Sequence, residues 1–154
     1  MKLTKFSLSL AAGLAGMAIG LPAQAIVAYQ NDFQSGAGSE WSHTLTDSTP
    51  TPYGFGLRTF LGEFSNDTVS LTLSNLSPHD SILLDFDLYL IRSWDGSSAG
   101  TEFDYGNDAF KVSVAGGPSL LDETFGNGNP AGQSFGPLSI NPYHTGAAET
   151  YSLG

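Results

Sequence analysis

Oxygen-bearing side chains crowd one stretch of this 154-residue chain, where Asp87, Asp95, Glu102, Asp104, Asn107 and Asp108 are interleaved with Gly96, Gly100 and Gly106. A calcium ion takes this kind of company, six to eight hard oxygens at roughly 2.3–2.6 Å, and glycine lets the backbone fold around it. The pattern predicts a calcium-stabilised acidic loop with those six residues as ligands, joined by Asp32 or Glu40 from nearer the N-terminus. It is not an EF-hand, because the Asp-x-Asp-x-Asp-Gly run with Glu at the twelfth position cannot be read from Asp95 or Asp104. The competing reading is an acidic loop that only faces solvent.

Aromatic residues lie in or beside the same kind of loop: Trp41, Tyr53, Trp94, Tyr105 and Tyr143. Their faces could stack on sugar rings while carboxylates and amides take hydroxyls, which makes extracellular carbohydrate the candidate ligand and Trp41, Trp94 and Tyr105 its candidate contacts. Packing competes with this, since tryptophan is usually well buried.

Enzymatic signals are weak. Gly96-Ser97-Ser98-Ala99-Gly100 and Gly132-Gln133-Ser134-Phe135-Gly136 both match Gly-x-Ser-x-Gly. A nucleophile elbow needs a helix after its serine, and neither acidic Thr101–Asp108 nor Gly136-Pro137 supplies one. His43, His79 and His144 sit among turn residues. Asp85 and Asp87 are two apart on one strand, too local to flank a glycosidic bond. Gly126-Asn127-Gly128-Asn129-Pro130 has the glycines of a dinucleotide fingerprint without its helix. With no cysteine and no histidine pair at ligand spacing, zinc is excluded as an expectation, and the chain reads as a non-enzyme.

The elements that must position these residues are strands. Ile82, Leu84, Phe86, Leu88 and Leu90 alternate with Asp85, Asp87 and Tyr89, the period of two of a strand with one buried face. Val69, Leu71 and Leu73 alternate with Ser70, Thr72 and Ser74, which predicts a strand paired with 82–91. Phe110, Val112 and Val114 predict a third strand, ended by Gly116-Gly117-Pro118, and Leu120–Phe125 a fourth. Thr46–Pro52 and Gly126–Gly136 are rich enough in turn residues to be long loops. Helix is hardly supported. The fold class is all-β, an antiparallel β-sandwich of jelly-roll type. After Leu138–Ile140 no further long strand follows before Gly154, so the sandwich is expected to be truncated at its C-terminus.

Lys2 and Lys5 precede an uncharged stretch from Phe6 to Gly20, followed by Leu21-Pro22-Ala23-Gln24-Ala25. This is the pattern of a signal peptide cleaved after Ala25, too short and too diluted by Ser and Gly for the ~20 apolar residues of a membrane span. Residues 26–154 are then a single secreted domain with no membrane span. It keeps three basic residues, Arg58, Arg92 and Lys111, against all fifteen acids, a formal charge of −12. Such a field repels nucleic acid and suits divalent cations or neutral ligands. Without cysteine, the domain depends on its core or on metal for stability.

Phe60-Leu61-Gly62-Glu63-Phe64, Val69–Leu76, and Phe86-Asp87-Leu88-Tyr89 with Ser93-Trp94-Asp95-Gly96 resemble, in order and spacing, a domain of bacterial exported proteins of the PEP-CTERM type. Asn31-Asp32-Phe33 and Glu40-Trp41-Ser42 extend the resemblance over most of residues 29–125. It implies a β-sandwich exoprotein and no particular reaction. It departs in lacking the Pro-Glu-Pro motif, apolar helix and basic tail by which such proteins are sorted. Two functions therefore compete: a secreted binding module with a calcium-stabilised loop and a carbohydrate ligand, and a structural or adhesive surface protein with no small-molecule ligand.

Overall fold

The computed structural model describes residues 2–11, 26–50 and 56–150. No helix forms among them, and seven strands follow in order: β1 (Lys2–Ala11), β2 (Thr46–Pro50), β3 (Leu57–Leu61), β4 (Ser81–Tyr89), β5 (Ala109–Ser113), β6 (Ser119–Thr124) and β7 (Ala147–Glu149). They make small antiparallel sheets ordered β4-β1-β7, β2-β3 and β5-β6, so the all-β expectation holds. The expected cleavage segment Leu21–Ala25 and Tyr53 lie outside the described residues. Packing divides the chain into two units, one of Met1–Leu8 with Leu84–Gly154 and one of Ser9–Leu83.

In the unit of Ser9–Leu83, β2 and β3 form a hairpin in the register Thr46↔Leu61 to Pro50↔Leu57. Residues 46–50 were expected to be loop, because Thr-Asp-Ser-Thr-Pro carries no apolar pattern. Their strand comes from pairing with β3, whose buried Phe60 stands opposite Asp47, and Thr49 is buried as well. The expected strand at 69–73 is reduced to a single bridge, and its partner is Trp41 through Leu71 rather than β4. Backbone bonds run from Ser42 N to Ser70 O at 2.9 Å and from Thr72 N to Glu40 O at 2.8 Å. The Ser42 hydroxyl then accepts Ser70 N at 2.8 Å, a side chain standing where a ladder carbonyl would. Such local hydroxyl bonds compete with sheet formation.

In the other unit, β4 keeps its two faces: Leu84, Phe86 and Leu88 are half-buried while Asp85 and Asp87 are exposed. The next residue of that parity, Leu90, is fully buried with Phe125, and Trp94, Phe110, Leu121, Phe135 and Ala147 pack around them. Burying each of the two central side chains stabilises by about 1.5–3 kcal/mol. Phe125 meets Phe135 at a centroid distance of 4.9 Å. β5 and β6 pair from Ala109↔Thr124 to Ser113↔Ser119, with the register shifting after Val112. Their turn closes through Gly117 N to Val114 O at 2.8 Å and Val114 N to Pro118 O at 3.1 Å.

The long loops after β6 are held by two buried amides. Gln133 is fully buried; its Oε1 accepts Gly126 N at 3.1 Å and its Nε2 donates to Phe135 O at 2.8 Å and Thr145 O at 3.0 Å. Asn141 accepts Leu138 N at 3.0 Å and donates to Leu138 O at 2.8 Å and Ser134 O at 3.2 Å. A buried amide with its donors and acceptor satisfied fixes a loop as a side chain of the core fixes a strand.

Candidate functional site: the acidic loop at the end of β4

Past β4 the chain turns at Arg92, whose φ of 62° is left-handed. Asn127 clasps the turn: its Oδ1 accepts Trp94 N at 3.0 Å and its Nδ2 donates to Arg92 O at 2.6 Å. From there Ser97 bridges to Asn107, which closes the residues between them into a loop, and Asp95 bridges outside that loop to Gly126. Asp108 N donates to Gly96 O at 3.0 Å, and Phe125 N donates to Asp108 O at 3.0 Å, tying the neck to the core.

Three of the six expected calcium ligands meet at this neck. The Asp108 carboxylate accepts Asp95 N at 2.5 Å, and the Asn107 Oδ1 accepts Ala99 N at 3.0 Å. Buried Asn129 offers its Nδ2 to Asp95 Oδ1 at 3.5 Å. Asp95 and Asp108 are half-buried, and among the described residues no lysine, arginine or histidine pairs with either. Glu102 and Asp104 are exposed in the loop itself, and Asp87 is exposed on β4. Among the described residues, no group of three or more His, Cys, Asp and Glu side chains stands at metal-binding spacing. The contact between Asp95 and Asp108 is thus from backbone amide to carboxylate, and the Asp95 carboxylate itself faces Asn129. Asp32 spends its Oδ1 on Gln34 N at 3.1 Å.

Backbone space at the neck is tight. Gly96 has a φ of +67°, and a Cβ there would stand 1.8 Å from Gly132 O, the same oxygen that accepts Ser97 N at 2.9 Å. The glycine-rich spacing that suggested a flexible metal loop thus has a second cause, close passage of two backbones.

The aromatic candidates divide. Trp94 packs on the Leu90–Phe125 core and donates its ring N–H to Ile91 O at 3.1 Å. Trp41 donates its ring N–H to the Tyr29 hydroxyl at 2.6 Å, and Tyr29 and Phe33 stand edge-on to it at centroid distances of 6.2 and 5.7 Å. Tyr105 is 75% exposed in the acidic loop. Around Trp41 there is a network the sequence did not announce. The Tyr29 hydroxyl donates to Glu40 Oε1 at 2.8 Å and accepts Asn31 Nδ2 at 3.2 Å. The Glu40 carboxyl is held below its ordinary value first by its own backbone amide and then by Tyr29; desolvation opposes both, and the Gly38 backbone adds least. A Cβ at Gly38 would stand 2.2 Å from Glu40 Oε2, so glycine leaves room for the carboxylate.

The serines of the two Gly-x-Ser-x-Gly motifs are engaged in structure. Ser98 is fully buried, with its hydroxyl on Gly106 O and accepting Tyr105 N at 3.3 Å. The Ser134 hydroxyl donates to Glu123 Oε2 at 2.5 Å and accepts Thr124 N at 2.8 Å. Among the described residues neither bonds a histidine: His144 Nε2 lies 3.1 Å from Asn127 O, His79 Nδ1 2.7 Å from Ser77 O, and His43 Nδ1 3.0 Å from Ser42 Oγ. The Ser42–His43 contact is between adjacent exposed residues.

No family model, curated protein or solved structure matches this chain.

Proposed function

We propose that the chain is an exported, non-enzymatic β-sandwich module of the PEP-CTERM-type class. Residues 1–25 are its leader, a calcium ion binds at the neck of the acidic loop, and extracellular carbohydrate is its ligand. One observation carries the calcium reading: the Asp108 carboxylate is drawn onto the backbone amide of Asp95, and among the described residues no basic side chain pairs with either aspartate. Asp95, Asn107 and Asp108, brought to one neck, offer the hard oxygens calcium prefers, with backbone carbonyls and water to complete the set. Tyr105, exposed beside them, is the aromatic face for a sugar. In the non-enzymatic reading Ser98 and Ser134 are structural: their hydroxyls bond Gly106 O and Tyr105 N, and Glu123 and Thr124 N.

A structural or adhesive role without a ligand is the second reading. It is favoured by the ring N–H groups of Trp41 and Trp94, both taken up inside the fold.

A thermal melt with calcium and with chelator separates the two. Calcium at 100 times its Kd contributes about 2.7 kcal/mol, which in a domain of this size raises Tm by roughly 5–10 °C. Asp108→Asn abolishes that rise, while Glu102→Gln with Asp104→Asn leaves it in place. A Tm indifferent to millimolar calcium overturns the metal reading, and a glycan array with no retained sugar on the calcium-loaded protein overturns the carbohydrate reading.

A further inference from the structure

The strand that the export reading removes is the middle one of its sheet. β1 lies between β4 and β7, hydrogen-bonded on both sides, with Lys2 opposite Glu149 and Leu3 opposite Ala147. We propose that the gap left between β4 and β7 after leader cleavage is a strand-acceptor site. It takes an extended segment from another polypeptide with the chemistry of β1, apolar residues alternating with hydroxyl residues and lysine near its N-terminal end. The inference rests on the assignment of residues 1–25 as a cleaved leader.

Removing a central strand uncovers backbone donors and acceptors on both sides at once, a row along β4 and a short edge on β7, where Lys2 and Leu3 pair. Unpaired backbone groups are costly once shielded from water, and an open edge is a template for pairing. Neighbouring strands lie about 4.8 Å apart, so the gap spans roughly 10 Å and fits one strand. Addition of an extended segment to such an edge draws affinity from main-chain bonds and specificity from alternate side chains.

The chemistry of the occupant follows from what borders the gap. Asp85 and Asp87 are exposed on β4 and Glu149 stands on β7 opposite the first residue of β1, so an acidic border favours a basic strand. The leader has that character: Lys2 and Lys5 near its start, then Phe6, Leu8 and Leu10 on one parity with Ser7 and Ser9 on the other. The pairing of residues 2–11 in the full chain therefore shows which strand chemistry the gap accepts.

The test begins with the folded full chain, cut after Ala25 through an engineered protease site, and uses as probe a fluorescent peptide of the sequence of residues 2–11. The cut protein binds the peptide one to one after its own leader is dialysed away. The uncut chain binds it about 100-fold more weakly, because a tethered strand competes at millimolar effective concentration. A peptide with proline at Thr4 and Phe6 does not bind, since proline removes the ladder donors. If cutting unfolds the protein, added peptide restores its β-sheet circular dichroism. Equal binding to cut and uncut chains overturns the proposal, as does a cut chain that ignores the peptide whether it stays folded or not. A cut chain that dimerises, and whose dimer the peptide does not dissociate, overturns the stated occupant in favour of a second copy. The N-terminal mass of the exported protein tests the leader assignment separately, so failure of either is recognised on its own.

Discussion

Replacing Gly96 by alanine separates two reasons for a glycine at the neck of the acidic loop. Its φ of +67° is left-handed, and a Cβ would lie 1.8 Å from Gly132 O. The conformation alone costs about 1–2 kcal/mol in an L-residue. The clash is with backbone, so Gly132 or the neck must move by more than an ångström, an overpacking cost of about 1–3 kcal/mol. That movement also weakens the bond from Ser97 N to the same oxygen, net about 0.5–1.5 kcal/mol. Gly100 supplies the control, because its φ is +73° and no atom lies within 4 Å of a Cβ there. Gly100→Ala bears the conformational cost only, and the gain from restricting the unfolded chain is the same in both variants. Urea unfolding of the two proteins should therefore place Gly96→Ala about 2–4 kcal/mol below Gly100→Ala. Equal losses would refute the close approach of Gly96 to Gly132 and with it the closed neck that brings Asp95 to Asp108.

Gln133→Leu withdraws a buried partner from Gly126 N, Phe135 O and Thr145 O, so unfolding should show a loss of about 3–5 kcal/mol; a change under ~1 kcal/mol would show these groups re-pair easily. Glu40 has its folded value lowered, so its stabilisation is complete above the ordinary 4.5 and is lost as pH falls through the folded value. Acid unfolding of wild type should accordingly converge on that of Glu40→Gln below that window, and curves that stay parallel down to about pH 3 would remove the linkage. Lys111 and Asp122 sit directly opposite on β5 and β6 at 2.9 Å but are 65% and 53% exposed. Lys111→Met should shift stability by less than about 1 kcal/mol, and a larger loss in denaturant titrations would show the pair is not the ordinary surface kind.

Where a strand has one face in the core, its pattern is readable from sequence, and β4 shows why. From Leu84 to Leu90 the apolar parity coincides with burial, because a slip of one residue would turn Asp85 and Asp87 inward. β5 and β6 were readable for a related reason, since Gly116-Gly117-Pro118 ends one and starts the other. β2 was not, because Thr46–Pro50 owes its extension to β3 and leaves no periodic mark of its own. Residues 69–73 had the mark without the strand, their backbone being taken by the Trp41 bridge and the Ser42 hydroxyl. Gln133 and Asn141 look like loop residues in any composition-based reading, although burial makes them the pins of their segment.

The acidic cluster was legible as a list and not as a site, and chain geometry explains which members were separated. Ser97 opposite Asn107 makes a rung, so the residues just outside it converge, which is why Asp95 and Asp108 meet. Glu102 lies five residues beyond Ser97 on the way to the far end of the loop, a path of up to roughly 17 Å if extended. Asp104 lies three residues before Asn107 on the returning arm, a path of up to roughly 10 Å, and among the described residues neither carboxylate joins a metal-binding cluster at the neck. Spacing in sequence counts carboxylates equally, whereas closing the loop selects the two at its base. Any cation held there must take most of its remaining oxygens from the backbone, from Asn107 and from water, a set that favours calcium over a metal requiring nitrogen or sulfur. The same closure leaves Tyr105 exposed within the loop, on an element whose shape depends on a glycine at position 96.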